Sequence, residues 1–257
     1  MDAAAGGGAD DHRDDHHVAG LLAQEAGDLL LAVRDDGMAA GWGQWRLQDE
    51  GDRRAHDHLV ARLARLRPDD TVLSEEGHDD SSRLDAERTW ILDPLDGTRD
   101  YCRPGSVEWA VHVALVVDGW PVAAAVALPA SGALFGTGTS PVGRPPERDR
   151  PVVVTSRSQW GEAEQVASAI GGVVRSFGSA GVKAMAVVSG RADVYVHPSG
   201  LYEWDACAPA GVAAAAGFDV AGVDGSRLEF NKPRPVVPGL VVSRPEYTER
   251  VFGALHW

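Results

Sequence analysis

Three short acidic segments of this 257-residue chain hold the side chains able to do chemistry: Glu75-Glu76, the run Asp93-Pro94-Leu95-Asp96-Gly97-Thr98, and Glu203-Trp204-Asp205. Hard divalent cations such as Mg²⁺ take oxygen ligands. An Asp-x-x-Asp turn at a strand end offers two carboxylates and an intervening carbonyl together, here Asp93, the Leu95 carbonyl and Asp96. If Gly97-Thr98 opens a helix, its free N–H groups and dipole add a phosphate site to the same turn. The chemistry indicated is metal-assisted phosphoryl transfer. One ion makes a water nucleophilic, a second stabilises the departing oxygen, and the rest is positioning and neutralised charge.

The elements that must hold these residues are legible from periodicity. Val18, Leu21, Leu22, Ala26, Leu29, Leu30 and Val33 recur at helical spacing and predict a helix ending near Gly37. A second helix is expected from about Asp52 to Leu66, broken by Arg67-Pro68-Asp69-Asp70. Strands Thr71–Ser74 and Trp90–Leu92 each run into acids, and Pro94 is expected to stop the second ladder. Val111–Val117, Val122–Leu128 and Ala133–Gly136 read as further strands, the first two joined by Asp118-Gly119. After the Pro-rich segment 141–151, alternating strand and helix predict a layered α/β second half, with one helix over Lys183–Ser189 and Asp205 at the head of an Ala-rich helix to Ala216. The expected organisation is a disordered, His-bearing tail over 1–15, an α+β metal-binding domain over 16–148 and an α/β domain over 149–257 that completes the site. His112 reads as a core residue, and Trp204 as packing beside the acids rather than a base platform.

Composition removes other classes. A formal net charge of −14 argues against binding a nucleic-acid polymer, which needs a basic face. No run approaches the roughly 20 apolar residues of a membrane span, and the first fifteen residues lack a basic-then-apolar leader. Cys102 and Cys207 are far apart and form no CxxC pair, so a reducing, cytoplasmic setting is expected.

With the three acidic segments in this order, the chain from about Leu21 to Leu240 resembles the inositol monophosphatase-like superfamily, which also holds fructose 1,6-bisphosphatases and 3'(2'),5'-bisphosphate nucleotidases. The resemblance implies a five-layered α/β/α/β/α sandwich, two to three Mg²⁺ ions, lithium inhibition and a homodimer. By it, Glu75, Asp93 and the Leu95 carbonyl would hold one ion, Asp93, Asp96 and Asp205 a second, and Glu75 with Asp52 a third. Thr98, paired with Asp52, would orient the attacking water. The superfamily's usual Lys and Ser-Pro-x-Thr are replaced by Trp42-Gly-Gln-Trp45-Arg-Leu-Gln-Asp49, although Gly51-Asp52 fits its Ala-Asp.

Gly97-Thr98-Arg99-Asp100-Tyr101, Glu108-Trp109-Ala110-Val111, Glu203-Trp204-Asp205 and Ala55-His56 are similar to the nucleotidase branch, in its bacterial CysQ type. That branch removes a phosphate from 3'-phosphoadenosine 5'-phosphate to give AMP, in sulfate assimilation. Gly178-Ser179-Ala-Gly-Val-Lys183 resembles the substrate loop Gly-Ser-Ser-Leu-Lys with one residue inserted, which would pair Lys183 with the second phosphate. Gly97, Thr98, Arg99, Ser179, Lys183 and Glu203 are the expected substrate contacts. Inositol monophosphate and fructose 1,6-bisphosphate stand as alternative substrates, and a non-catalytic metal- or nucleotide-binding sensor as the alternative from another class.

Overall fold

The computed structural model describes residues 7–138 and 149–255. Helix α1 spans Gly7–Ala39 and α2 Gln44–Leu66. A five-stranded sheet follows, of β1 (Thr71–Ser74), β2 (Thr89–Asp96), β3 (Ala110–Val117), β4 (Trp120–Leu128) and β5 (Ala133–Gly136), in that spatial order. Only β1 and β2 run parallel; the other pairs are antiparallel. A four-residue helix, α3 (Thr98–Tyr101), leaves the end of β2.

The second sheet is ordered β10 (Asp219–Ala221), β12 (Leu240–Ser243), β8 (Val194–His197), β6 (Val152–Thr155), β7 (Val173–Ser176). Helices α4 (Trp160–Ile170), α5 (Ala180–Val188), α6 (Glu203–Ala215) and α7 (Thr248–Leu255) connect or follow its strands, and β9 (Leu201–Tyr202) pairs with β11 (Val236–Val237). Every strand of the first sheet precedes residue 137 and every strand of the second follows 151. Much of the expected domain connection over 141–151 lies outside the described residues.

The strands' period of two decides the layering. Along β3, Val111, Val113 and Leu115 join the α1 and α2 side, with Leu22, Leu30, Leu59 and Leu63. The intervening Ala110, Ala114 and Val116 face α5 and α6. The outer face of the second sheet packs Val153, Val194 and Val241 against α4 and α7. The result is five layers, α1α2, sheet, α5α6, sheet, α4α7, as expected. Each large side chain fully buried in these layers contributes about 1.5–3 kcal/mol. Small residues set the spacing of the middle layer: a Cβ on Gly211 of α6 would lie 3.0 Å from Pro121 and 3.2 Å from Ala124 of β4.

Four expectations need correction. The tail expected over 1–15 is helical from Gly7, and Asp15 is fully buried between Arg67 (2.7 Å) and Arg88 (3.0 Å); two arginines over fifty residues away make that end of the segment part of the fold. Helix α2 begins at Gln44 rather than Asp52, because Leu47 extends the buried stripe Gly51, Ala55, Leu59, Leu63 by one turn. Pro94 does not end the ladder. Pairing passes from Asp93↔His112 to Asp96↔Ala110 across a bulge, which absorbs the missing N–H. Helix α5 starts at Ala180, not Lys183, with Ser179 as its cap.

Candidate active site

The bulge on β2 gathers the acids. Asp93 shares the inward face of β2 with Ile91 and has no exposed surface. Its Oδ1 accepts a bond from the Leu95 N–H at 3.0 Å, while its Oδ2 is buried with no hydrogen-bond partner. Gly97 then takes φ 90°, a left-handed turn that opens α3. A Cβ there would lie 2.8 Å from the Glu108 carbonyl and 3.2 Å from Ser179. Thr98 is the first residue of α3, and Arg99 is exposed beside it.

His112, directly opposite Asp93 in the ladder, is buried at the centre of this group. Its Nδ1 donates to the Trp204 carbonyl at 3.1 Å and lies 3.8 Å from Asp93 Oδ2, and its Nε2 faces Asp96 Oδ2 at 3.2 Å. Burial works against the charged ring, but the adjacent Asp96 carboxylate overrides it and raises the His112 pKa. Asp93, Asp96 and His112 each offer a ligand atom within 4.8 Å of the others.

The second half of the chain closes on Asp96. Its Oδ2 accepts from Ser179 Oγ and from the Gly181 N–H at 2.8 Å, so the carboxylate caps the positive end of α5. Burial alone would raise its pKa; His112, Lys183 and Ser179 together bring it below the usual carboxylate range. Ser179 sits at φ 53°, uncommon for a residue with a side chain. The loop is held there by Glu108, whose Oε2 accepts from the Gly178 N–H at 2.7 Å and from Arg157 at 2.8 Å.

The remaining acids surround the turn. Asp205 stands in the first turn of α6 and Glu75 just past β1, while Asp52 is buried on α2. The absent Cβ of Gly51, which would touch Tyr101 at 2.9 Å and Leu95 at 3.2 Å, lets α2 approach. Burial is the main cause, and mutual repulsion the second, of their raised pKa values. Asp52 is pushed up to about 8, by burial and then Glu76 and Glu75. Glu75 reaches about 7, by burial, Glu76 and Asp96, and Asp205 about 7, by burial, Asp96 and Glu75. Asp93 is raised well above its ordinary value by burial and by Asp96, Glu75 and Asp205. His112 and Lys183 offset only part of this negative charge, and the orphaned Asp93 Oδ2 with this nearly all-oxygen donor set fits a hard divalent cation.

Three expected substrate contacts are otherwise engaged: Ser179, whose Oγ donates to Asp96 and accepts from the Val182 N–H, Lys183 and Glu203. Lys183 is buried, its Nζ donating to the Ser179 carbonyl at 2.7 Å and lying 3.5 Å from that of Gly178. Burial lowers its pKa to about 8. It braces the Ser179 loop from below rather than facing solvent. Glu203 is fully buried and accepts from the N–H groups of Asn231 (2.6 Å) and Lys232 (3.1 Å), tying α6 to a later loop. The inserted residue and the helix start at Ala180 turn Lys183 inward, and strand pairing at Tyr202 fixes Glu203 on the inner face.

His112, Glu108 and Arg157 are the site residues that sequence reasoning missed. Pairing β2 with β3 in register would have found His112, since opposite residues of an antiparallel pair share a face. The bonds of Glu108 and Arg157 reach 70 and 49 residues along the chain, so the motif at Glu108 marks that residue without its partners. The packing around His112 gives a test. A Cβ on Gly181 would lie 2.2 Å from His112 Nε2 and 3.0 Å from Ala110. Gly181→Ala is expected to displace the ring, destabilise by about 1–3 kcal/mol and lower kcat about tenfold or more. A thermal melt with phosphate-release kinetics checks it, and an unchanged kcat would show that the His112 position does not matter.

The profile of the Inositol monophosphatase family matches residues 16–256. A 3'-phosphoadenosine 5'-phosphate phosphatase of Mycobacterium tuberculosis (strain CDC 1551 / Oshkosh) is 43% identical over 249 residues, covering 90% of this chain and 89% of that one. Inositol-1-monophosphatase SuhB of the same organism is 32% identical over 223 residues, 77% of this chain and 73% of that one. Among solved structures, CysQ from Bacteroides thetaiotaomicron superposes with a TM-score of 0.75 at 27% identity, covering 90% of this chain and 97% of that one.

Proposed function

This chain belongs to the inositol monophosphatase family, and from that premise we propose that it is a Mg²⁺-dependent phosphoric monoester hydrolase that converts 3'-phosphoadenosine 5'-phosphate to AMP and phosphate, in sulfate assimilation. The observation that carries the substrate is the contrast between 43% identity to a phosphatase named for that nucleotide and 32% to an inositol monophosphatase. The proposed ligands are Glu75, Asp93, the Leu95 carbonyl, Asp96 and Asp205; the buried, unpartnered Asp93 Oδ2 supports them. When bound, the ions neutralise the transferring phosphoryl group, activate the water and stabilise the leaving oxygen.

The chain's own residues supply the rest. Water oxygen bonds to the 3'-phosphorus as the bond to the ribose 3'-oxygen breaks; one water proton ends on that oxygen, the other stays with the released phosphate, and the 5'-phosphate stays on the product. Thr98 and Asp52 orient the water, and Gly97 and Thr98 present the start of α3 to the phosphoryl oxygens. Ser179 and Gly181 fix Asp96 through Oδ2. His112 balances the charge of Asp93 and Asp96 from the strand opposite. Arg99 is assigned to the substrate's rim, whereas Lys183 and Glu203 are assigned to holding the Ser179 loop and the α6 start. No helix among the described residues is long and apolar enough to cross a membrane, and the free cysteines Cys102 and Cys207 support the cytoplasmic reading.

The test is phosphate release with Mg²⁺ from 3'-phosphoadenosine 5'-phosphate, inositol 1-phosphate and fructose 1,6-bisphosphate under identical conditions. The expected result is a kcat/KM at least about 100-fold higher for the nucleotide. A reversed preference would move the chain to the inositol or fructose branch with the same metal chemistry.

A further inference from the structure

We infer that Tyr202 is the platform on which the substrate's nucleobase stacks, an inference that rests on the nucleotide reading above. Tyr202 closes β9 and immediately precedes α6. Its backbone is held by pairing with Val236, and the next residue is held by the Glu203 N–H bonded to the Pro235 carbonyl at 2.9 Å. Strand alternation sends Leu201 into the central layer and leaves Tyr202 54% exposed.

The exposed ring is ordered. It lies parallel to Trp204, with centroids 4.6 Å apart and planes at 5°, and Trp204 itself packs on the central core. Trp204 covers one face of the phenol, leaving the other to take a second flat ring. The backbone that carries this stack reaches the acids. The Trp204 carbonyl accepts from His112, which faces Asp93 and Asp96. Tyr202 and Asp205 stand at the cap and third positions of α6, the two positions that meet across the opening turn of a helix. A single ribose separates a nucleobase from its 3'-phosphate, so a phosphate held at Asp205 would leave the base within the span of one helix turn, where Tyr202 stands. Any planar base has a π-face, and such stacking does not require base-specific hydrogen bonds.

The test measures kcat and KM of wild type, Tyr202→Ala and Tyr202→Phe on 3'-phosphoadenosine 5'-phosphate and on inositol 1-phosphate, which has no base. Expected are a rise in KM for the nucleotide of about 5- to 150-fold in Tyr202→Ala, wild-type behaviour in Tyr202→Phe, and unchanged kinetics on inositol 1-phosphate. An unchanged nucleotide KM in Tyr202→Ala, with the wild type active on it, overturns the platform alone. So does an equal loss in Tyr202→Phe, which would assign the hydroxyl, or an equal loss on inositol 1-phosphate, which would make Tyr202 a support of the site. A wild type inactive on the nucleotide overturns the functional reading and the platform together.

Discussion

Asp93→Asn is expected to remove turnover by a factor on the order of 10³ or more while leaving the fold as stable as before. Asp93 is the residue on which the site converges. It is fully buried, its Oδ2 has no hydrogen-bond partner, and Asp96, Glu75 and Asp205 all repel its charge. An amide keeps the acceptor for the Leu95 N–H, bonded at 3.0 Å in the native turn, and keeps the side chain's volume. It removes a charge that costs stability without a cation and holds one when the cation is present. The metal-free variant is therefore expected to melt no lower than the metal-free parent, and Mg²⁺ should raise its melting temperature less than the parent's. Phosphate release and paired melts with and without Mg²⁺ check this; turnover near the parent's would remove Asp93 from the chemistry.

The second large effect concerns the metal-free protein and pH. Asp52, Glu75 and Asp205 are raised from 3.8, 4.5 and 3.8 to about 8, 7 and 7, chiefly by burial. An acid whose folded pKa lies above its unfolded one binds its proton more tightly when folded. Its contribution is fully present below the unfolded pKa, near 4, and is lost as pH rises through the folded pKa of about 7 to 8. Metal-free protein should thus lose stability steadily between about pH 4 and pH 8. A cation that requires ionised carboxylates reverses this, so stabilisation by Mg²⁺ should be larger at pH 8 than at pH 5.5. At a concentration 100 times its Kd a single ion contributes about 2.7 kcal/mol, or roughly 5 to 10 °C in Tm for a chain of this size. Melting after chelation, with Mg²⁺ restored across that pH range, measures both trends. A Tm indifferent to Mg²⁺ at pH 8 would remove the cation from the acid cluster.

Lys183 and Glu203 depart from the sequence reading for one shared reason. Lys183 was expected at the substrate and instead braces carbonyls at 2.7 and 3.5 Å, and Glu203 was expected there and instead ties α6 to Asn231 and Lys232. Both lie in segments whose residue types match the family motif, yet the direction of each side chain follows from where its helix starts. Helix α5 begins three residues earlier than Lys183, and α6 begins at Glu203 itself. A one-residue change in a helix start rotates a side chain by about 100°. Motif spacing carries residue type and order, and is nearly blind to that rotation.

The sequence by itself determined the parts of this protein that local chemistry settles. The turn Asp93 to Thr98 packs donors and a helix start into six consecutive residues, so the chemistry proposed for it is legible without a fold. The near-continuous apolar run Val111 to Val117 announced a strand, and the Ala-rich stretch from Asp205 a helix. Tertiary structure decided what depends on distant partners. His112 meets Asp93 only through the β2–β3 register, and Asp96 meets Ser179 and Gly181 across more than eighty residues. The Tyr202 and Trp204 rings stack only because β9 ends where α6 begins. Local backbone preference extends over a few residues, whereas these contacts are fixed by the joint packing of five layers, which no single segment encodes.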